Sequence, residues 1–462
     1  MKNRIKKHPL KLLLTTIVFI TMVLSLSLTA PAAVRPTDVS TPSPGNALVQ
    51  IPGEFARADV AAILKQVNSY RKEACQNGYP NPNSPSHKLT AADYSEVKWS
   101  GDLEWIAQTR AAEGAVLQDH TRPNGESCFS IQHNGVRSSA ETLAWNYGSL
   151  SGGITQWYEE KEDWVRQNPY AVTGHYEAMI NPSLKYIGIG CFTSKADAWS
   201  CVAGAYSSAS NLSSAPQGLY GTHTQVMEVP ANRVVMGGPS SIAIGKTASY
   251  ASLAVLFPGI MGGTVTTPAL PSGTPSYTSS NTAVASITSA GYLSAKGLGS
   301  TTITMTCPDG TVLKKVVTVT KPAKGTVFSS GGARYKVTNP AGELAYVKNT
   351  AGGSNVLIPN EVRFSGFTYR VTSIADNAFK NNKTLKSVTI PANVASIGQK
   401  AFYNCKKLKT LTIQSLKLKS SKVGSKSFAK TGIKKVKVPK ARKKAYKKWL
   451  YKKGIAKKAK IK

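Results

Sequence analysis

The C-terminal third of the chain repeats itself, and this constrains its fold more than any other feature. SIADNAFKNNKTLKSVTIP is followed by SIGQKAFYNCKKLKTLTIQ and then by KVGSKSFAKTGIKKVKVPK. Phe379, Phe402 and Phe428 stand 23 and 26 positions apart, as do Ile374, Ile397 and Val423, and Leu385, Leu408 and Ile433 follow at 23 and 25. Each unit also carries an alternating apolar pair: Val388/Ile390, Leu411/Ile413 and Val436/Val438. A unit of this size with one short strand cannot bury its apolar face alone and must stack on its neighbours. A short solenoid is therefore expected over 322–462. Tyr446/Leu450 and Ala445/Trp449, each four apart, predict a closing helix over 440–453, ended by Gly454.

Charge concentrates at the same end. The chain has 58 Lys or Arg against 23 Asp or Glu, and residues 401–462 hold 23 of the basic ones with no acid. Such an end is either the solvated face of a cap or a surface that attracts anionic cell-wall or host-surface polymer with salt sensitivity. Nucleic acid is not the expected partner, because no nucleic-acid fold accompanies the charge. With 41% apolar and 18% charged residues, the chain is not a disordered polyelectrolyte. Six cysteines in 462 residues exclude a disulfide-dense mini-scaffold.

The N-terminus reads as an address. Lys2, Arg4, Lys6, Lys7 and Lys11 precede an apolar run over 12–28, and Ala30-Pro31-Ala32 has the small-x-small form of a cleavage site. Residues 1–32 are expected to be a signal peptide, leaving a secreted, extracellular chain without a transmembrane helix and associated with the cell wall. The Pro/Ser/Thr-rich stretch 33–57 is expected to be a linker. Val60, Ile63, Leu64, Val67 and Tyr70 predict an amphipathic helix; others are expected from 102 and over 154–165. Strand-like runs at 185–192 and 200–206 complete an α+β domain over 58–210. A second linker, 211–224, leads to an all-β region over 225–321 with short Val/Ile/Thr-rich runs.

VNSYR (67–71), VKWSGDLEWIAQTRAAE (97–113), DHTRPNG (119–125), AETLAW (140–145), WYEE (157–160) and TGHYEAMINP (173–182) follow one another in the order of the CAP superfamily. The first domain resembles this family of SCP-like, cysteine-rich secretory and pathogenesis-related proteins, which implies an α-β-α sandwich. YTSSNTAVASITSAGYLSAKGLGSTTIT (277–304) is similar to bacterial immunoglobulin-like domains, implying an Ig-like sandwich over 225–321. The repeats resemble bacterial surface leucine-rich repeats. The whole is a multidomain chain.

The CAP resemblance implies a cleft lined by His120, Glu141, Glu160 and His175. Two imidazoles with carboxylates suit a divalent cation, zinc first, or an acid/base pair. The same four residues also suit a hydrogen-bonded network without chemistry. No catalytic role is assigned: Ser127 and Ser130 near His120 lack a G-x-S-x-G elbow, and HExxH, P-loop and GxGxxG motifs are absent. AETLA stands where the family has G-E-N-L-A, a departure in the loop geometry around Glu141. Trp145, Trp157, Tyr158, Trp164 and Tyr176 are core residues or walls of an apolar or saccharide groove, with Trp157 expected in the core. Cys191 and Cys201 flank a predicted hairpin within disulfide reach, where the resembled family often places cysteines. Cys75 with Cys128 is a weaker pairing, and Cys307 and Cys405 are expected to be free. The function expected is a secreted, surface-associated binding protein whose head takes a ligand, as lipid, sterol or divalent cation in parts of that family. The alternatives are an extracellular hydrolase and a purely structural module.

Overall fold

The computed structural model describes residues 33–146, 148–195, 200–216, 218–259 and 262–462. The leader expected over 1–32 lies outside them. Among the described residues, no helix is long and apolar enough to cross a membrane.

The head is built on one sheet with helices on both faces. Strands β1 (Ala33–Arg35), β2 (Asn46–Phe55), β3 (Ala140–Asn146), β4 (Tyr186–Ser194), β5 (Ser200–Ser207) and β6 (Gly221–Pro230) contribute to it, and the order β2-β4-β5-β3 leaves β3 at the edge. Helix α1 (Val60–Gln76) starts at Asp59, whose side chain accepts from the Ala62 amide at 3.0 Å. With α3 (Leu150–Glu159), α4 (Lys161–Val165) and α5 (Gly174–Ile180), it packs its apolar face on Ile187, Ile189, Cys191, Val202 and Tyr206. Helix α2 (Gly101–Gly114), capped by Ser100, covers the opposite face. It lies so close that a Cβ on Gly188 would stand 2.0 Å from the Glu104 amide nitrogen, and one on Gly190 2.5 Å from Gln108 Cα. A side chain at either position would force the helix off the sheet.

The segment expected as a linker, 33–57, is structured. β2 pairs along its whole length with β6, from Asn46↔Pro230 to Phe55↔Gly221, and its Ala47, Val49 and Ile51 are fully buried. Local Pro/Ser/Thr content at 33–45 masked an alternating apolar strand that needed a partner about 175 residues further on. Arg35 is fully buried; it donates to Thr109 Oγ1 at 2.8 Å, Gln225 Oε1 at 2.5 Å and the Trp105 carbonyl at 2.6 Å. Burial lowers its pKa to about 9 against the opposing charges of Glu104 and Glu113. The second expected linker is docked as well: Tyr220 donates to Glu104, the Leu219 amide to Gln108, and β6 begins at Gly221.

The boundary expected at 225 therefore runs through a strand. β7 (Leu253–Pro258) and β8 (Thr264–Pro271) extend the head's sheet through β8–β2 pairing. One apolar cluster runs from Ala111, Leu143 and Cys201 in the head to Val255, Ile303 and Val317 beyond it. The rest of the middle region forms a four-stranded and a three-stranded sheet.

In the repeats, β9 (Asn355–Leu357), β10 (Ser387–Ile390), β11 (Thr410–Ile413), β12 (Lys435–Lys437) and β13 (Lys460–Ile461) form a parallel sheet in sequence order. Phe379, Phe402 and Phe428 stack with ring centroids 4.9 and 5.5 Å apart. Within each repeat, two residues before its Phe, the chain turns at Asn377, Lys400 and Lys426, all with φ between 53° and 59°. Helix α6 (Lys443–Leu450) is shorter than predicted, its expected first turn being a 3₁₀ turn at Lys440–Arg442.

The disulfide expected between Cys191 and Cys201 is not formed, and all six cysteines are free and buried. Cys191 faces Val202 and Cys201 faces Phe192. Facing residues share a side of the sheet and the next residue lies on the other, so this one-residue offset puts the two thiols on opposite faces. Cys191 packs under α1 and α3, and Cys201 packs under α2.

Candidate functional site

His120 follows α2, Glu141 lies on edge strand β3, Glu160 closes α3, and His175 opens α5. One pair lies on the α2 side of the sheet and the other on the α3 and α5 side, and their imidazoles meet at the edge formed by β3. His120 Nδ1 lies 2.8 Å from Glu141 Oε1, and His175 Nδ1 2.5 Å from Glu160 Oε1. The imidazole rings face each other with centroids 5.9 Å apart and an interplanar angle of 24°. The His120 side chain is 54% exposed, whereas that of Glu141 is 3% exposed. His175 and Glu160 lie between, at 18% and 16%.

Both carboxylates are held from behind. Glu160 Oε2 accepts from the His175 and Tyr176 backbone amides at 3.0 and 3.1 Å, an arrangement set by the first turn of α5. Glu141 accepts from Arg110 Nε at 2.5 Å and Nη2 at 3.3 Å. Burial opposes ionisation of Glu141, but the His120 hydrogen bond and the Arg110 charge outweigh it and hold the carboxyl below its ordinary range. Arg110 also binds Glu113 at 2.6 Å, and Arg122 binds Glu113 at 2.9 Å and Asp38 at 2.8 Å. A chain of alternating charges thus runs from the exposed imidazole through the buried arginines back to the N-terminal strap, residues 33–57.

Sequence reading missed this chain. Arg110 and Glu113 carry one signal, their i,i+3 spacing on a helix, while Asp38 carries none. It read Cys128 only as a partner for Cys75 and not as a neighbour of the site; desolvation and the Glu141 charge push its buried thiol up to about 11. Such a thiol stays protonated at neutral pH, the opposite of a nucleophilic cysteine. Among the described residues, no group of three or more His, Cys, Asp or Glu is placed to hold a metal ion together.

The aromatics are mostly core. Trp157 and Tyr176 are 1% and 0% exposed, and the Tyr176 hydroxyl has no partner. Trp145 and Trp164 donate to the Gly114 and Pro80 carbonyls. A cavity of about 650 Å³ opens elsewhere on the head, between α1 and 94–99; Val60, Leu64, Val97 and Trp99 line it with Lys65 and Lys72. None of the four His/Glu residues reaches it.

Residues 64–203 match the model of the cysteine-rich secretory protein family, and residues 361–458 match that of the BspA type leucine rich repeat region in six copies. Scoloptoxin SSD43 of Scolopendra dehaani is 30% identical over 151 residues, 30% of this chain and 64% of that protein. Venom allergen 5 of Polybia paulista is 24% identical over 133 residues, 28% of this chain and 62% of its own length. The chain thus spans less than two thirds of these curated relatives. Among solved structures, a leucine rich cell surface protein from Faecalibacterium prausnitzii is 24% identical with a TM-score of 0.20, covering 27% of this chain and 35% of that one. A leucine-rich repeat protein from Bacteroides capillosus is 24% identical with a TM-score of 0.21, covering 25% and 83%.

Proposed function

We propose, for a chain that carries a CAP domain at residues 64–203 and BspA-type leucine-rich repeats at 361–458, the role of a secreted, surface-associated binding protein whose head takes a divalent cation or ligand between His120 and His175. The facing imidazoles carry this reading: each has its Nδ1 committed to its own glutamate, and the rings stand 5.9 Å apart. A carboxylate behind Nδ1 fixes the tautomer and leaves Nε2 as the donor atom toward a metal. In this proposal His120 and His175 hold the ion while Glu141 and Glu160 orient them. Zinc bound there would leave positions for water or a ligand group. A lipid or sterol has a separate candidate place in the apolar cavity beside α1. The strand-rich middle serves as an Ig-like spacer, and the basic repeats, read as a short solenoid, retain the protein on anionic cell-wall or host-surface polymer.

A hydrolase built on the same dyads is the second reading. It ranks lower because the thiol nearest the site is held protonated and both carboxylates already accept several hydrogen bonds. Calorimetric zinc titration of the full chain, wild type against a His120→Ala/His175→Ala double variant, is the test. Saturable binding lost in the variant supports the proposal, and no binding by wild type leaves the structural module. The full chain is required, because a 58–210 fragment would lack β2 and β6.

A further inference from the structure

The repeat sheet presents two outward rows of side chains, and the rows change character along the array. One row reads Asn355, Ser387, Thr410, Lys435, Lys460 in register, and the other reads Leu357, Thr389, Thr412, Lys437. Lys462 closes the second row, since its amide donates to the Val436 carbonyl and its carbonyl accepts from Val438. The alternate positions Val388, Leu411 and Val436 point into the core, so these rows form the open face. Along that face, hydroxyls on β10 and β11 give way to lysines on β12 and β13.

The lysine block works against the fold. Neighbouring strands lie about 4.8 Å apart and alternate residues on one strand about 6.6 Å apart, so four lysines branch from a patch of backbone little wider than one sugar. Like charges side by side on adjacent strands are destabilising. Residues 401–462 supply no Asp or Glu to offset them. Serine or threonine fills the same positions on the two preceding strands and would satisfy the fold without repulsion. Among the described residues no acidic side chain pairs with these lysines, and charges that cost stability without such a partner are placed for an external anion.

We propose that this face of β10–β13 binds a linear polymer of polyol phosphates laid across the strands, its phosphates on Lys435, Lys437, Lys460 and Lys462 and its polyol hydroxyls on Thr410 and Thr412. The proposal rests on the reading of the repeats as the surface-retaining part and locates that retention. Lysine, a compact point charge, suits phosphodiesters without selecting a planar base edge. The rows hold no aromatic side chain on which a nucleobase would stack. The hydroxyl rows complement a polyol.

The test uses the full chain and immobilised poly(glycerol phosphate), with single-stranded DNA of matched charge as comparator. A sheet variant changes Lys435, Lys437, Lys460 and Lys462 to Gln. A control variant removes the same charge from α6 at Lys443, Lys444, Lys447 and Lys448. The sheet variant is expected to lose about tenfold or more of its affinity and to show a shallower salt dependence, while the control stays within about twofold of wild type. Without polymer, the sheet variant is expected to melt above wild type, because the repulsion is gone. Equal losses in both variants would overturn the location and leave general basic retention standing. No binding by wild type would remove the retention reading itself. Tighter binding to DNA than to poly(glycerol phosphate) would overturn the polymer class.

Discussion

Replacing Glu141 by Gln keeps the size of a nearly buried side chain and removes the charge that links the exposed imidazole to the interior. The carboxylate accepts two hydrogen bonds from Arg110 and lies 2.8 Å from His120 Nδ1. Breaking a buried ion pair from one side costs about 3–5 kcal/mol. Arg110 keeps Glu113 at 2.6 Å and the carbonyls of Asp119 and His120 at 3.1 and 3.2 Å, which places the cost at the lower end. A loss of about 3 kcal/mol lowers the melting temperature of a cooperative unit of this size by about 6–12 °C. Because the folded pKa is depressed, this stabilisation is complete above the ordinary glutamate value of 4.5 and is lost as pH falls through the folded value. Thermal unfolding of wild type and Glu141→Gln followed by circular dichroism from pH 7 to pH 3 should show a gap that is constant near neutrality and closes in acid. Equal stability at pH 7, or a gap unchanged at pH 3, would refute the buried-charge account.

Two further outcomes follow from the strap and the register. Deleting 33–57 removes the fully buried Ala47, Val49 and Ile51 together with Asp38, the partner of Arg122; such a chain is expected to be insoluble or to lose cooperative melting, and a stable, soluble product would count against the strap. Unfolded without reductant, the purified chain should titrate six thiols. Two fewer, with a cross-link mapped to Cys191 and Cys201, would show that the strands slip by one residue.

Features governed by neighbours within one turn or one repeat were readable. The spacing of Val60, Ile63 and Val67 gave α1, and the Phe379/Phe402/Phe428 period gave stacked repeats whose rings lie 4.9 and 5.5 Å apart. The linker expected at 33–57 failed because composition averages over a window, while β2 is stabilised by a partner far along the chain. The cysteine pairing failed because a hairpin's register, not its existence, decides which face each residue takes. At the site, the four residue types were legible from their motifs. That His120 belongs with Glu141 and His175 with Glu160, and that Arg110 stands behind one pair, was not.

Sequence alone determined the periods, the helix of α1, the repeat array and the concentration of positive charge at one end, since each depends on residues close in the chain. Tertiary structure decided the strand partner of β2, the face of each cysteine and the meeting of two His/Glu pairs past the edge of β3. Those depend on which distant segments lie side by side, and in a sheet a shift of one residue reverses every side chain.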